Sequence, residues 1–109
     1  MGKFSRDKGA RRERELVNRH KAIGVHAARV PLSGAAGGRF SGDVDVYPFG
    51  EHNAALVAEL KARSNGEGFK TLEGWMGDND LLFLWRDRSE PMVVMPWATW
   101  VDILERVKA

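Results

Sequence analysis

A glutamate and a lysine two residues apart, in the segment AALVAELKA (residues 54–62), carry side chains that can bind metal ions and transfer protons. The alternation of this segment predicts a β-strand with Glu59 and Lys61 on one face, together with Ala55 and Val57. Residues two apart on one face of a strand are separated by about 6.6 Å, so both can reach one object over the strand end. An E-x-K pattern is more often ordinary surface alternation. The pattern therefore indicates a catalytic site only if further ionisable side chains lie close to it.

Two neighbouring elements supply further carboxylates. The segment DVDVY (residues 43–47) alternates strictly, which predicts a strand with Asp43 and Asp45 on one face. If this strand forms a hairpin with the E-x-K strand, an aspartate comes from the neighbouring edge. Glu13 lies on the otherwise apolar, inward-facing stripe of a helix predicted over residues 8–22. Three carboxylates and one lysine would then converge.

Such a convergence of acids requires a positive partner, because like charges repel and lose hydration on burial. Carboxylate oxygens without histidine or cysteine suit a hard cation, which indicates Mg²⁺, with Mn²⁺ as a substitute. A bound cation activates water for attack on phosphorus and offsets the charge that builds on phosphate oxygens, with the lysine assisting. The predicted chemistry is metal-assisted phosphodiester hydrolysis.

The composition limits the remaining choices. With 109 residues the chain is long enough for one domain, which we expect to span residues 1–109 with a flexible start at residues 1–7. It has no cysteine, which excludes disulfides, thiolate nucleophiles and cysteine zinc sites. We find neither a signal peptide nor a run of membrane-spanning length. We therefore expect a soluble cytoplasmic protein with no membrane partner.

The charge is unevenly distributed along the chain. Residues 1–39 carry ten lysines and arginines against three acids, or +7, while residues 40–109 carry a net −5. A basic N-terminal third suggests a polyanionic partner, bound through counterion release. A solvated basic helix without a partner explains the charge equally well, so charge alone does not decide the function.

The order of predicted elements indicates an α/β fold with a mixed β-sheet flanked by helices. The predicted elements are a helix over 8–22 ended by Gly24, strands over 25–31, 43–47 and 54–62, a helix over 69–77, strands over 81–85 and 91–96, and a helix over 97–108. We expect Trp75, Trp97 and Trp100 to face the core rather than to stack on bases.

Three segments, KGARRERELVNRHKAIGVHAARVPLSG, GDVDV and VAELKAR, resemble the archaeal-type Holliday junction resolvases (Hjc-like) of the PD-(D/E)XK nuclease superfamily, whose relatives include proteins carried by phages. The resemblance covers roughly residues 8–64, and its KG…ERELV opening is much more specific than the E-x-K pattern. It implies a single PD-(D/E)XK nuclease domain with a restriction-endonuclease-like fold. The chain departs from the superfamily pattern at Gly42, where the superfamily has proline.

The resemblance also implies a role for each acidic residue. Glu13 corresponds to the helix carboxylate, Asp43 to the motif aspartate, Glu59 to the second metal ligand and Lys61 to the catalytic lysine. Asp43 is favoured because it follows the preceding loop directly. Asp45 points the same way and stays open as the alternative metal ligand.

For DNA contact, the resemblance implies a mobile flap around Ser33 and Gly34 and basic side chains near the phosphates. The expected DNA-binding residues are Lys8, Arg11, Arg12, Arg14, Arg29, Ser33, Gly34 and Arg39.

The function that follows is a structure-selective endodeoxyribonuclease that resolves four-way DNA junctions by paired nicks. The family implies a homodimer, and a nucleoid-associated or phage protein inside the cell. Two alternatives stay open: a less selective nuclease of the same superfamily, and a non-catalytic nucleic-acid-binding module whose acids form only ion pairs.

Overall fold

The computed structural model describes residues 2–30 and 43–108, with side chains described from residue 9 onward within those ranges. The elements are α1 (Gly2–Ala22), β1 (His26–Arg29), β2 (Val44–Tyr47), β3 (Leu56–Ala58), α2 (Lys70–Met76), β4 (Leu82–Leu84), β5 (Met92–Val94) and α3 (Trp97–Lys108). This is the predicted order of helix, three strands, helix, two strands and helix. The α/β class is therefore confirmed.

Helix α1 begins at Gly2, six residues before the predicted start at Lys8. Residues 2–7, which were expected to belong to a flexible start, are helical. No proline interrupts this segment, and its lysine and arginine residues favour helix. Intrinsic propensity therefore extends the helix toward the N-terminus.

Helix α1 ends in a Schellman motif around Gly24, as predicted for this glycine. The N–H of Val25 donates to the carbonyl of His20 at 2.9 Å, and the N–H of Gly24 donates to that of Lys21 at 2.9 Å. Gly24 has φ +81°, a left-handed conformation that glycine adopts without steric cost. The motif turns the chain directly into β1.

The inward stripe of α1 is confirmed. Val17 and His20 are buried, and Glu13 is half-buried on the same side of the helix. Arg11, Arg12 and other charged residues of the opposite side are exposed. The 3.6-residue period thus places one carboxylate, that of Glu13, against the protein interior.

Strands β1, β2 and β3 form an antiparallel sheet in that order. Val44 and Val46 of β2 are buried, whereas Asp43, Asp45 and Tyr47 alternate to the other face. The predicted hairpin between β2 and β3 is confirmed. Strand β3 is shorter than the predicted strand over 54–62, because the backbone ladder ends at Ala58.

The contacts within the chain divide it into two compact units, Met1–Ala62 with Val107–Ala109, and Arg63–Arg106. The second unit contains α2 and the antiparallel pair β4 and β5. The described strands thus pair only antiparallel, in sheets of three and two strands, where the sequence predicted a mixed sheet. Short turns suffice for antiparallel neighbours, whereas parallel neighbours need a long crossover. The assignment of residues 1–109 to one nuclease domain stays a prediction.

The tryptophans follow the prediction only in part. Trp97 and Trp100 are half-buried. Trp75 is 60% exposed, and α2 has no buried residue, so its assignment to the core was wrong. A seven-residue helix has too few turns to establish which of its faces is inward.

Across the described residues, none of the three helices combines the length and the apolar character that crossing a membrane requires.

Candidate active site

The pairing of β2 with β3 brings the aspartates near the E-x-K segment. Asp45 is opposite Val57 on one side and Ala28 on the other. Glu59 is the first residue after β3, one position beyond Ala58, where the ladder ends. Continued by one residue, the same register would place Glu59 opposite Asp43 and diagonal to Asp45, and side chains at such positions lie about 5–8 Å apart.

Asp43 holds the end of this hairpin together. Its N–H donates to the carbonyl of Ala58 at 2.8 Å, and its Oδ2 accepts a hydrogen bond from the N–H of Leu60 at 2.8 Å. The carboxylate of Asp43 therefore replaces the backbone carbonyl that would accept a hydrogen bond if the ladder continued. This contact gives Asp43 a structural role at the strand end.

Asp45 has different surroundings on the same face of β2. It is half-buried, and its Oδ1 atom is buried from solvent. It lies in the middle strand of the sheet, with a neighbouring strand on each side. Water screens the charge of a carboxylate in this position less than that of an exposed one.

Glu59 and Lys61 form an ion pair with each other. Lys61 Nζ lies 3.1 Å from Glu59 Oε2, and the side chains of Lys61 and Glu59 are 62% and 48% exposed. Exposed ion pairs contribute about 0–1 kcal/mol. Opening this pair therefore costs little stability.

Glu13 has a more buried partner. Arg29 Nε donates to Glu13 Oε1 at 2.9 Å, with the side chains of Arg29 and Glu13 33% and 16% exposed. Arg29 is in register with Val44 and therefore lies on the buried face of the sheet, opposite to the face that carries Asp43 and Asp45. The ion pair thus fixes the Glu13 carboxylate to the strand next to β2.

The predicted ligands do not form one compact set. In the part of the chain that the structure describes, no three acidic or histidine side chains are grouped closely enough to hold a metal ion. Glu13, Asp43 and Glu59 each contact another protein group instead. Mg²⁺ nevertheless commonly binds through one or two carboxylates, keeps several waters and takes further ligands from substrate phosphates. The donor types and the β2–β3 register fit an ion held in that way.

The basic residues predicted to contact DNA are only partly described. Arg11, Arg12 and Arg14 are exposed on α1, and Arg12 Nη1 lies 2.8 Å from Glu15 Oε1. Lys8 belongs to α1, but its side chain lies outside the described residues, as do Ser33, Gly34 and Arg39. The structure therefore gives positions for four of the eight predicted contacts, counting Arg29.

Sequence reasoning assigned no role to an aromatic pair on the same sheet. His26 is opposite Tyr47, and their ring centroids are 4.8 Å apart with the planes tilted by 53°. The alternation of DVDVY already put Tyr47 on the face of Asp45. That alternation was the available signal for Tyr47. It does not reveal that β1 pairs with β2 and brings His26 opposite Tyr47.

Comparison with protein-family models matches residues 4–72 to the family described as archaeal Holliday junction resolvase. This segment extends from α1 into α2 and includes Glu13, both aspartates of β2 and the E-x-K pattern. Searches among curated proteins and among solved structures give no match. The matched segment covers more than half of the chain.

Proposed function

Because the chain belongs to the archaeal Holliday junction resolvase family, a nuclease family that acts on DNA junctions, we propose that it is a metal-dependent endonuclease that resolves four-way junctions by paired nicks. The observation that carries this proposal is the pairing of β2 with β3. Through this pairing, Asp45 and Asp43 lie beside the strand that leads into Glu59 and Lys61. A strand-borne acid next to an E-x-K pattern supplies the donor types that phosphodiester hydrolysis requires.

The proposed cofactor is Mg²⁺, with Mn²⁺ able to substitute. Asp45 and Glu59 would hold the ion. Glu13 would join them only by leaving Arg29, whose register with Val44 places it on the opposite face of the sheet from Asp45. When bound, a hard divalent cation offsets the negative charge on the phosphate oxygens. The exposed Glu59–Lys61 pair supports this proposal, because little stability is lost when it opens.

We favour Asp45 over Asp43 as the main ligand, the reverse of the order that the sequence suggested. The Asp43 carboxylate already accepts a hydrogen bond from Leu60 at the strand end. Asp45 presents its charge from the middle strand of the sheet, and its Oδ1 atom is buried from solvent. Asp43 then positions the start of the E-x-K segment.

The proposed reaction is hydrolysis. A water oxygen attacks phosphorus and gives up one proton to solvent, the bond from phosphorus to one sugar oxygen breaks, and the released sugar oxygen takes up a proton from solvent. Lys61, freed from Glu59, is proposed to contact the phosphate oxygens and to stabilise their increasing charge. Its exposed side chain is long enough to move between the two positions.

The exposed arginines of α1 support binding to DNA phosphates. Arg11 and Arg14 are three residues apart and therefore share one side of the helix. We propose that they contact the phosphate backbone. A homodimer would bring two active sites to opposed strands of a junction, which has two-fold character, and would explain paired nicks.

The proposal is tested by incubating a synthetic four-way junction and a linear duplex of the same sequence with the protein, with and without Mg²⁺. We expect Mg²⁺-dependent nicks at paired positions in the junction and little cutting of the duplex. Equal cutting of both substrates would instead indicate a less selective nuclease of the same superfamily.

One observation favours a second candidate, a non-catalytic DNA-binding module. Glu13 and Glu59 both form ion pairs with protein cations, as such a module would require. A cation that binds the folded state raises its thermal stability by mass action. A melting temperature unchanged by millimolar Mg²⁺ or Mn²⁺, together with absence of cutting, would support the module and contradict the nuclease.

A further inference from the structure

The aromatic pair His26 and Tyr47 extends the face of β2 that carries the aspartates. Tyr47 follows Asp45 by two residues, so the two side chains share a face and are separated by about 6.6 Å along the strand. His26 lies opposite Tyr47, with the ring centroids 4.8 Å apart. The pair therefore lies one side-chain position away from the proposed metal ligand.

The same two residues line a cavity of about 520 Å³, which we call the aromatic pocket. Its wall also includes Phe49 and Glu51, from the turn after β2, and Lys108, from the end of α3. Phe49 is 60% exposed although its ring is large and apolar. Lys108 Nζ donates to the carbonyl of Ile23 at 2.7 Å, which fixes this wall to the turn after α1.

The side chains of the aromatic pocket match the chemistry of a nucleobase. Flat rings offer surfaces on which a base can stack, and a carboxylate such as that of Glu51 accepts hydrogen bonds from exocyclic amino groups. The charges of Glu51 and Lys108 offset each other, which favours a neutral base over a phosphate. The volume lies within the range of about 300–1,000 Å³ that is usual for small-ligand sites.

We propose that the aromatic pocket binds an unpaired nucleobase of the DNA substrate, adjacent to the nucleotide at Asp45. The inference rests on the proposed function, because it takes branched DNA as the substrate. Bases next to a branch point can leave the stack at lower cost than bases inside a duplex. The pocket would hold such a base and fix the position of the neighbouring phosphodiester.

The test replaces Phe49 and compares it with a matched control. Phe83 lies in the other compact unit and is 63% exposed, so Phe83→Ala removes the same group from a similarly exposed position. Each variant is titrated, without metal, onto four-way junctions that carry 2-aminopurine beside the branch point. Stacking on a protein ring changes the fluorescence of this base.

We expect Phe49→Ala to weaken junction binding about 5- to 150-fold, the range for loss of one base-stacking ring, and to abolish the fluorescence change. Phe83→Ala should keep wild-type junction binding and the fluorescence change. The slope of binding against salt should be unchanged in Phe49→Ala, because no charge is removed. A wild-type melting temperature would show that the variant is folded.

Binding and fluorescence that are unchanged in Phe49→Ala would overturn the proposal, as would an equal loss in Phe83→Ala. Displacement of the fluorescent base by micromolar deoxynucleoside monophosphate would also contradict it, since the pocket would then take free nucleotides. If the wild type cuts junctions and Phe49→Ala gives the same binding and fluorescence as the wild type, only the pocket proposal is wrong. If the wild type cuts no junction but its fluorescence change depends on Phe49, the resolvase proposal is wrong and the pocket proposal is supported.

Discussion

At the scale of single residues, Asp43 and Asp45 share a face of β2 but have different surroundings. Asn at position 43 could still accept the hydrogen bond from Leu60, so Asp43→Asn preserves the strand end. We expect Asp45→Asn to lower the cleavage rate by about 10²-fold or more, since metal assistance contributes several kcal/mol. Asp43→Asn should lower it far less.

The measurement is single-turnover cleavage of a four-way junction, with junction binding as the control for folding. We expect Mg²⁺ to raise the melting temperature of the wild type and not that of Asp45→Asn. If Asp43→Asn inactivates the enzyme and Asp45→Asn does not, the ligand order suggested by the sequence is right and ours is wrong.

The Glu13–Arg29 ion pair leads to a prediction about stability. Its atoms are 2.9 Å apart and largely shielded, whereas the Arg12–Glu15 pair, at 2.8 Å, is exposed on the same helix. Loss of Arg29 leaves a half-buried carboxylate without its cation, so Arg29→Ala should cost about 1–3 kcal/mol in the free energy of unfolding. Arg12→Ala should cost about 0–1 kcal/mol.

Double-mutant cycles measured by urea unfolding would give both coupling energies, with Glu13→Gln and Glu15→Gln as the second substitutions. Equal coupling in the two pairs would show that burial does not strengthen the contact of Glu13 with Arg29.

The inward position of Glu13 could be predicted from the sequence, because a helix has a fixed period and apolar residues occupy the neighbouring positions of its stripe. The partner of Glu13 could not be predicted from the sequence. Arg29 lies 16 residues away on a strand, and only the packing of α1 against β1 places it near the carboxylate. Local period is encoded in neighbouring residues, but contacts between elements depend on packing.

At the scale of elements, the turn between α1 and β1 depends on Gly24. A Cβ at this position would lie 2.8 Å from Lys108 Nζ, and φ +81° is strained for any L side chain. We expect Gly24→Ala to lower the free energy of unfolding by about 1–2 kcal/mol. For a domain of this size, that corresponds to a melting temperature lower by roughly 5–15 °C.

Gly9→Ala is the matched control, because Gly9 lies inside α1 and nothing is within 4 Å of its added Cβ. This substitution should raise stability by up to about 1 kcal/mol. A Gly24→Ala variant as stable as the wild type in a thermal melt would contradict the role given to the Schellman motif.

The element order was predictable because alternation and helical period identify strands and helices locally. The length of β3 was not. Alternation in the sequence continues through Glu59 and Lys61, but the ladder stops at Ala58, where the Asp43 side chain replaces a backbone partner. This replacement also releases Glu59 and Lys61 from regular strand structure, which allows them to pair with each other.

At the scale of the whole molecule, the uneven charge predicts binding that weakens with salt. Removing a side chain that contacts one phosphate should reduce the slope of log K against log salt by about one. We expect Arg11→Ala and Arg14→Ala each to reduce the slope for a junction. Arg106→Ala removes the same charge from an exposed residue of α3 and should leave the slope unchanged.

Fluorescence anisotropy over a range of salt concentrations would measure these slopes. If Arg106→Ala reduces the slope as much as Arg11→Ala, the effect comes from net charge rather than from contacts of α1.

Single-turnover cleavage of a synthetic four-way junction by Lys61→Ala in Mg²⁺ tests whether the E-x-K segment beside β2 cuts branched DNA. Junction binding by the variant is measured in parallel. Lys61 is exposed and pairs only weakly with Glu59, so its removal should leave the fold and junction affinity within a few-fold of the wild type. We predict paired nicks near the branch point for the wild type and none for the variant. Cutting by Lys61→Ala at the wild-type rate, or the absence of cutting by a wild-type protein that binds the junction, would contradict the account.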